Sequence, residues 1–141
     1  MFKLFNIAPN RTQLVQNNYF AISTNGDAFV HSFYEHLFSL YPQTESFFVN
    51  IDQAALEVKL LRALTLIVEN LRRPEALTPL LEGLGKRHRI NHRVVAPHYQ
   101  MFSHALLKTL SDFSGDKWTP NLETAWSEAI DGVIEIMIYQ V

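Results

Sequence analysis

His88 is the residue whose type and setting could do chemistry most directly. Leu80, Leu81 and Leu84 precede it at helical spacing, so its imidazole should continue an apolar stripe and point inward. Residues 83–97 contain no acidic side chain, and an inward neutral ligand beside a cationic rim suits a flat apolar cofactor with anionic edges, such as haem. A lone inward histidine is more often a core residue, so this interpretation needs support from residues elsewhere. The basic residues of the rim are Lys86, Arg87, Arg89 and Arg93.

Length and composition limit what kind of protein this is. The chain has 141 residues, 48% of them hydrophobic, which is enough for one domain with a single core. A net charge of −2 gives no case for a nucleic-acid partner. The absence of cysteine excludes disulfides, thiolate ligands and thioether attachment of a haem. No apolar run is long enough for a signal peptide or a membrane span, so we expect a soluble, cytoplasmic protein without a membrane partner.

The apolar periodicity predicts an all-α domain over residues 1–141. Successive stripes recur at helical spacing, and only the short pair Val94 and Val95 is ambiguous between helix and strand. Asp52 can cap the third helix, and Thr78 should cap the helix that carries the inward histidine. We expect six or seven helices. The prolines predicted to end helices are Pro42 and Pro74, and those predicted to begin helices are Pro79, Pro97 and Pro120.

Four residues keep a recognisable order and spacing. Tyr34 stands eight positions before Pro42, Phe48 stands six after it, the segment LGKRHR contains His88, and Trp126 lies in the last predicted helix. This pattern resembles the globin family, specifically single-domain bacterial haemoglobins and neuroglobin. The resemblance implies a globin fold of six to eight helices that enclose a haem b pocket.

The resemblance covers about residues 12–137 and implies a role for individual residues. His88 would be the proximal ligand that binds the haem iron, and the only metal ligand from the protein. Phe48 would pack on the haem face. Phe47 is its adjacent competitor, and an ordinary core position is the alternative for either ring.

Tyr34 matches the distal tyrosine of many bacterial globins. A phenol at that position can donate a hydrogen bond to a gas ligand, although a core aromatic would also suit the sequence. His31 lies three residues earlier and could line the same side, but a packing or surface role is favoured.

The distal position of the third helix departs from the best-known pattern. Counting back from His88 without gaps places Leu56 where related proteins have histidine or glutamine, with Leu60 beside it. Leucine can neither bind iron nor donate a hydrogen bond. The alternative frame puts Gln53 there and turns Glu57 toward the porphyrin, where a charge is costly to bury. Leu56 is therefore preferred.

Further side chains are expected around the cofactor. Lys59 stands at the predicted pocket mouth, where it would meet a propionate or else remain a solvated surface residue. His92 would donate to a propionate with Arg89 or Arg93 assisting by charge, or be a loop histidine. Leu84 belongs to the apolar stripe that faces the cofactor.

The resemblance implies a haem-binding globin that reversibly binds dioxygen, nitric oxide or carbon monoxide, and it assigns no catalytic residue. Oxygenated globins also convert nitric oxide to nitrate. That activity would need a separate electron-donating reductase as a partner, because flavohaemoglobins use a fused flavin domain for which these residues leave no room. Two other functions stay open, a haem-based gas or redox sensor and a structural interaction protein with a globin fold.

Overall fold

The computed structural model describes residues 2–138, apart from the side chains of Asn91 and His92. This part of the chain is helical throughout its regular structure and contains no strand, which confirms the predicted all-α fold. None of its helices is both long and apolar enough to cross a membrane. The α-helices are α1 (Pro9–Ser23), α2 (Gly26–Leu40), α3 (Gln53–Glu69), α4 (Pro74–His92), α5 (Ala96–Ser114) and α6 (Pro120–Ile138). Short 3₁₀ helices span Lys3–Asn6, Pro42–Phe48 and Gly115–Lys117.

The helices pack into one framework and leave a smaller apolar cluster at its side. α2 packs on α5, α4 packs on α6, and α1 lies against α6, while α3 contacts α2 and α1. The main core includes the fully buried side chains Val15, Tyr19, Phe29, Leu77, Leu81, Leu110 and Ile136. The second cluster centres on Phe33, Tyr34, Leu37 and Ala105, which come from α2 and α5.

The helix that carries His88 begins earlier than its sequence pattern predicts. We expected Thr78 to cap it and Pro79 to be its first residue. The helix instead begins at Pro74, and the Thr78 hydroxyl donates to the Pro74 carbonyl at 2.9 Å from inside the helix. Pro74 is as good a first residue as Pro79, because its fixed φ suits the first turn. Pro79 is tolerated within α4, although it cannot donate the helical hydrogen bond to the Glu75 carbonyl.

Other predicted helix boundaries are close to those observed. Asp52 is the N-cap residue of α3, but its side chain makes no capping hydrogen bond. Thr119 does cap α6, since its hydroxyl oxygen accepts a bond of 3.2 Å from the Leu122 amide. Val94 and Val95 form the extended connection between α4 and α5 rather than a strand.

Gly85 brings α4 into direct backbone contact with α6. A Cβ built on this glycine would overlap the carbonyl of Met137, so no larger residue fits without moving one of the two helices. His88 follows one turn later on the same helix. The missing side chain of Gly85 therefore sets how far His88 stands from the core.

Candidate functional site

The stripe of α4 leads from the core to His88. Leu77 and Leu81 are fully buried, whereas Leu84 and His88 are partly exposed. The apolar face predicted from the sequence thus runs from the buried core to positions that protein atoms only partly cover. This places Leu84 and the imidazole of His88 in the same partly covered wall.

Tyr99 contacts His88 and was not anticipated from the sequence. Its hydroxyl lies 3.3 Å from Nδ1 of His88, and the two ring centroids are 6.2 Å apart. When Nδ1 carries the proton and donates to Tyr99, the imidazole lone pair is on Nε2, the nitrogen that would bind iron. Burial raises the pKa of Tyr99, so the phenol stays neutral. One feature of the sequence could have indicated this contact, namely that Tyr99 lies in the first turn of α5.

The chain turns sharply after α4 and holds the basic residues at the edge of this wall. The amides of Arg93 and Val94 both point to the His88 carbonyl, and Arg93 adopts the left-handed backbone conformation at φ 54°. Arg89 is partly buried and lines a cavity of about 200 Å³ together with Val94 and Tyr99. The side chain of His92 lies outside the described part of the structure, so its propionate role stays a prediction.

A second wall is aromatic and contains Phe48, and α5 connects it to the first because that helix carries both Tyr99 and Phe102. The ring centroid of Phe48 lies 5.7 Å from that of Tyr34 and 6.5 Å from that of Phe102. Phe47 turns away, and its ring packs against His98 with centroids 4.6 Å apart. Of the two adjacent phenylalanines, Phe48 is therefore the one that the fold brings to Tyr34.

α3 adds aliphatic side chains to the same wall. Leu56 and Leu60 pack on the cluster around Tyr34, and the assignment of Leu56 to the distal position stays a prediction. Gln53 is exposed and lines a cleft of about 410 Å³ beside Phe48. Lys59 is also exposed.

Glu57 lies in the seam between α3 and α2, where it is mostly shielded from solvent. Its Oε2 accepts hydrogen bonds from Gln53 Nε2 at 2.9 Å and from the Nδ1 side of His31 at 3.0 Å. Only 17% of its side chain is exposed. We expected a packing or surface role for His31, and its surface position is accompanied by this specific pairing. The i,i+4 spacing of Gln53 and Glu57 was visible in the sequence, but the partner on α2 was not.

Tyr34 presents a polar group inside the apolar wall. The residue is 5% exposed, and no hydrogen bond joins its hydroxyl to any other described residue. Burial, and then the charge of Glu57, raise the pKa of this phenol well above its ordinary value. The hydroxyl therefore keeps its proton and can act as a hydrogen-bond donor.

These two walls fit the haem expected from the sequence. One wall has the imidazole of His88 with Nδ1 facing the Tyr99 hydroxyl, and the other has aromatic and aliphatic side chains that suit a porphyrin face. The side chains expected to contact a flat cofactor are only partly buried by the protein. They are Leu56, Leu60, Leu84 and Phe102. With no cysteine in the chain, the haem would be held by one side-chain bond and by packing.

Comparison with known proteins identifies the family. A family model described as Globin matches residues 31–137. A Cytoglobin-2 of Danio rerio is 30% identical over 70 residues, which are 50% of this chain and 39% of that protein. A Flavohemoprotein of Vibrio cholerae is 27% identical over 119 residues, 83% of this chain and 30% of that protein. Leghemoglobin 49 of Vicia faba is 48% identical over 51 residues, 36% of this chain and 34% of that protein.

The matched segments span at most 39% of the length of these three relatives. The family model, in contrast, matches most of this chain and includes Tyr34, Phe48 and His88. The chain therefore belongs to the globin family, and membership of that family implies that it binds haem.

Proposed function

We propose that this globin binds haem b through His88 and reversibly binds a diatomic gas on the side of Tyr34. The ligand would be dioxygen, nitric oxide or carbon monoxide, and the protein would act in the cytoplasm. The observation that carries the proposal is the Tyr34 hydroxyl, which has no hydrogen-bond partner among the described residues and lies in an otherwise apolar wall. Such a donor suits a ligand that gains partial negative charge when it binds.

Each wall has a separate task in this proposal. Haem would supply the iron that binds the gas molecule. His88 binds the iron, and Tyr99 orients its imidazole from Nδ1. Tyr34 donates to the gas molecule, and the aliphatic side chains of Leu56 and Leu60 exclude water around it.

The edge of the cofactor would meet the basic residues. The exposed side chain of Lys59 follows the apolar row of α3, where it can reach a propionate. Arg89 lines the cavity beside Tyr99 and can do the same on the other wall, with His92 as a further donor. Phe48 and Leu84 complete the proposed contacts with the porphyrin faces.

Visible spectroscopy of the purified protein tests the proposal. We expect one non-covalent haem b per chain and distinct spectra with dioxygen and carbon monoxide, with the deoxygenated spectrum returning when dioxygen is removed. His88→Ala should greatly weaken haem retention, whereas His104→Ala, which alters an exposed histidine bonded to Tyr41, should not. Unchanged haem retention and an unchanged ferrous spectrum in His88→Ala would show that His88 is not the ligand.

A second candidate function is the conversion of nitric oxide to nitrate with electrons from a separate reductase. The similarity that spans 83% of this chain to a protein named Flavohemoprotein supports it. Mixing the oxygenated protein with nitric oxide and measuring nitrate tests the reaction, and sustained turnover should require an added reductase. A sensor would instead show a protein partner whose capture changes with gas binding.

A further inference from the structure

Glu57 and His31 form a polar pair that spans the seam between α3 and α2. The carboxylate is largely covered, whereas the side chain of His31 is 60% exposed, so one end of the pair meets solvent. Gln53 donates to the same carboxylate oxygen that faces Nδ1 of His31. Glu35 approaches the imidazole from its other side, with 3.8 Å between its Oε1 and Nε2 of His31. Within residues 2–138, apart from the side chains at 91 and 92, these are the polar and titratable groups that contact the pair.

The two residues of the pair stand next to members of the Tyr34 cluster along their helices. Glu57 follows Leu56, which packs on the Tyr34 cluster, and His31 precedes Tyr34 by about one turn of α2. The charge of Glu57 also acts on the phenol, where it adds to the effect of burial in raising the pKa of Tyr34. The same carboxylate raises the pKa of His31 through its hydrogen bond and its charge.

From this arrangement we infer that Glu57 and His31 are a proton relay between the Tyr34 side of the haem pocket and solvent. The relay would serve small weak acids, such as hydrogen cyanide and hydrogen sulfide, which must lose a proton to bind ferric iron as anions. The inference rests on the proposed function, because it requires a haem with a ligand on the side of Tyr34.

The proton transfer needs no oxidant or reductant. In hydrogen cyanide the H–C bond breaks, and its electron pair stays on the cyanide anion that binds the iron. The proton passes to the Glu57 carboxylate through the Tyr34 hydroxyl or one water molecule. Glu57 hands it to Nδ1 of the His31 tautomer whose proton is on Nε2, and the resulting imidazolium releases that Nε2 proton to solvent. Exchange of the remaining proton with solvent then restores the starting tautomer.

Two probes with opposite requirements test the relay in the haem-loaded ferric protein. Hydrogen cyanide is almost wholly neutral at neutral pH and must lose its proton, whereas azide is already an anion. Glu57→Gln should slow cyanide association on the order of a hundredfold, the lower end of what general acid–base catalysis contributes. The same variant should leave azide association unchanged or faster, because it removes a negative charge near the pocket.

Two further variants separate the relay from a purely structural role. His31→Gln should slow cyanide association severalfold, and Glu35→Gln, which removes only the carboxylate on the solvent side of His31, should change neither rate. In the ferrous carbonyl complex, NMR should show a raised His31 pKa that falls in Glu57→Gln.

The experiments distinguish failure of the relay from failure of the proposed function. Absence of haem, or of carbon monoxide binding, would reject the proposed function itself. Normal carbon monoxide and azide binding with an unchanged cyanide rate in both Glu57→Gln and His31→Gln would overturn the relay. Equal slowing of cyanide and azide would also overturn it, because it would indicate a blocked or distorted pocket.

Discussion

Replacing Tyr34 by phenylalanine removes one hydroxyl from the distal wall and little else. The ring is 5% exposed and packs edge-on against Phe33 and Phe48, with centroids 5.0 Å and 5.7 Å away, and phenylalanine can keep these contacts. The hydroxyl makes no hydrogen bond to another described residue, so its removal leaves no protein group unpaired there. We therefore expect a small change in protein stability, below about 1 kcal/mol.

The effect on gas retention should be much larger. A hydrogen bond to a charged acceptor contributes roughly 1.5–3 kcal/mol. This range corresponds to about a ten- to hundredfold change in a rate. Because Leu56 and Leu60 cannot donate in its place, Tyr34→Phe should accelerate dioxygen dissociation by that factor. Carbon monoxide carries less charge on its outer atom and should respond much less.

Stopped-flow displacement of each gas measures both rates. Tyr41→Phe is the matched control, because it removes the same hydroxyl from a tyrosine that bonds His104 at the surface. This control should leave both dissociation rates unchanged. Equal acceleration of the two gases by Tyr34→Phe, or no effect on dioxygen, would show that Tyr34 is a packing residue and that the donor lies elsewhere.

Three further substitutions test the residues that position the site. Gly85→Ala should lower the free energy of unfolding by about 1–3 kcal/mol in urea titrations, because its Cβ meets the Met137 carbonyl, whereas Gly83→Ala should not. Tyr99→Phe should lower the ferrous iron–histidine stretching frequency in resonance Raman spectra, because His88 loses a bond at Nδ1. His31→Gln should destabilise the protein most below about pH 6.5, since a raised pKa stabilises the protonated folded form, and the loss should vanish above that raised pKa.

Each of these predictions has an outcome that contradicts it. Equal unfolding midpoints for Gly85→Ala and Gly83→Ala would mean that α4 can move off α6 at no cost; at Gly83 the new Cβ meets only the end of the Arg87 side chain, at 3.3 Å. An unchanged stretching frequency in Tyr99→Phe would remove Tyr99 from the proximal side. A pH-independent effect of His31→Gln in chemical denaturation would show that the imidazole gains nothing from Glu57.

The fold could be predicted because its signals lie within single helices. Apolar spacing gave the direction of the stripe that contains Leu81 and Leu84, and Thr119 with Pro120 marked the start of α6. The predicted start of α4 was wrong because Pro74 and Pro79 are equally good first residues for a helix. Which of Pro74 and Pro79 begins the helix depends on tertiary packing, which local preferences do not contain.

The contacts between helices could not be predicted in the same way. Periodicity states which face of α5 is apolar, but the pairing of Tyr99 with His88 depends on how α5 crosses α4. The pairing of Glu57 with His31 likewise joins residues that lie 26 positions apart. Both contacts can be seen only when the three-dimensional packing of the helices is known.

Glu57 shows why contacts between helices matter for predicting the site. The sequence disfavours the frame with Gln53 at the distal position because that frame turns the charge of Glu57 toward the porphyrin, but hydrogen-bond partners reduce the cost of covering a charge. The structure covers most of Glu57 and gives it hydrogen bonds to both Gln53 and His31, so the carboxylate is accommodated at the border of the pocket. Leu56 still packs against Tyr34, and the charge lies one residue further around α3. An apolar wall with a paired acid at its rim excludes bulk water from a ligand while keeping a proton acceptor nearby.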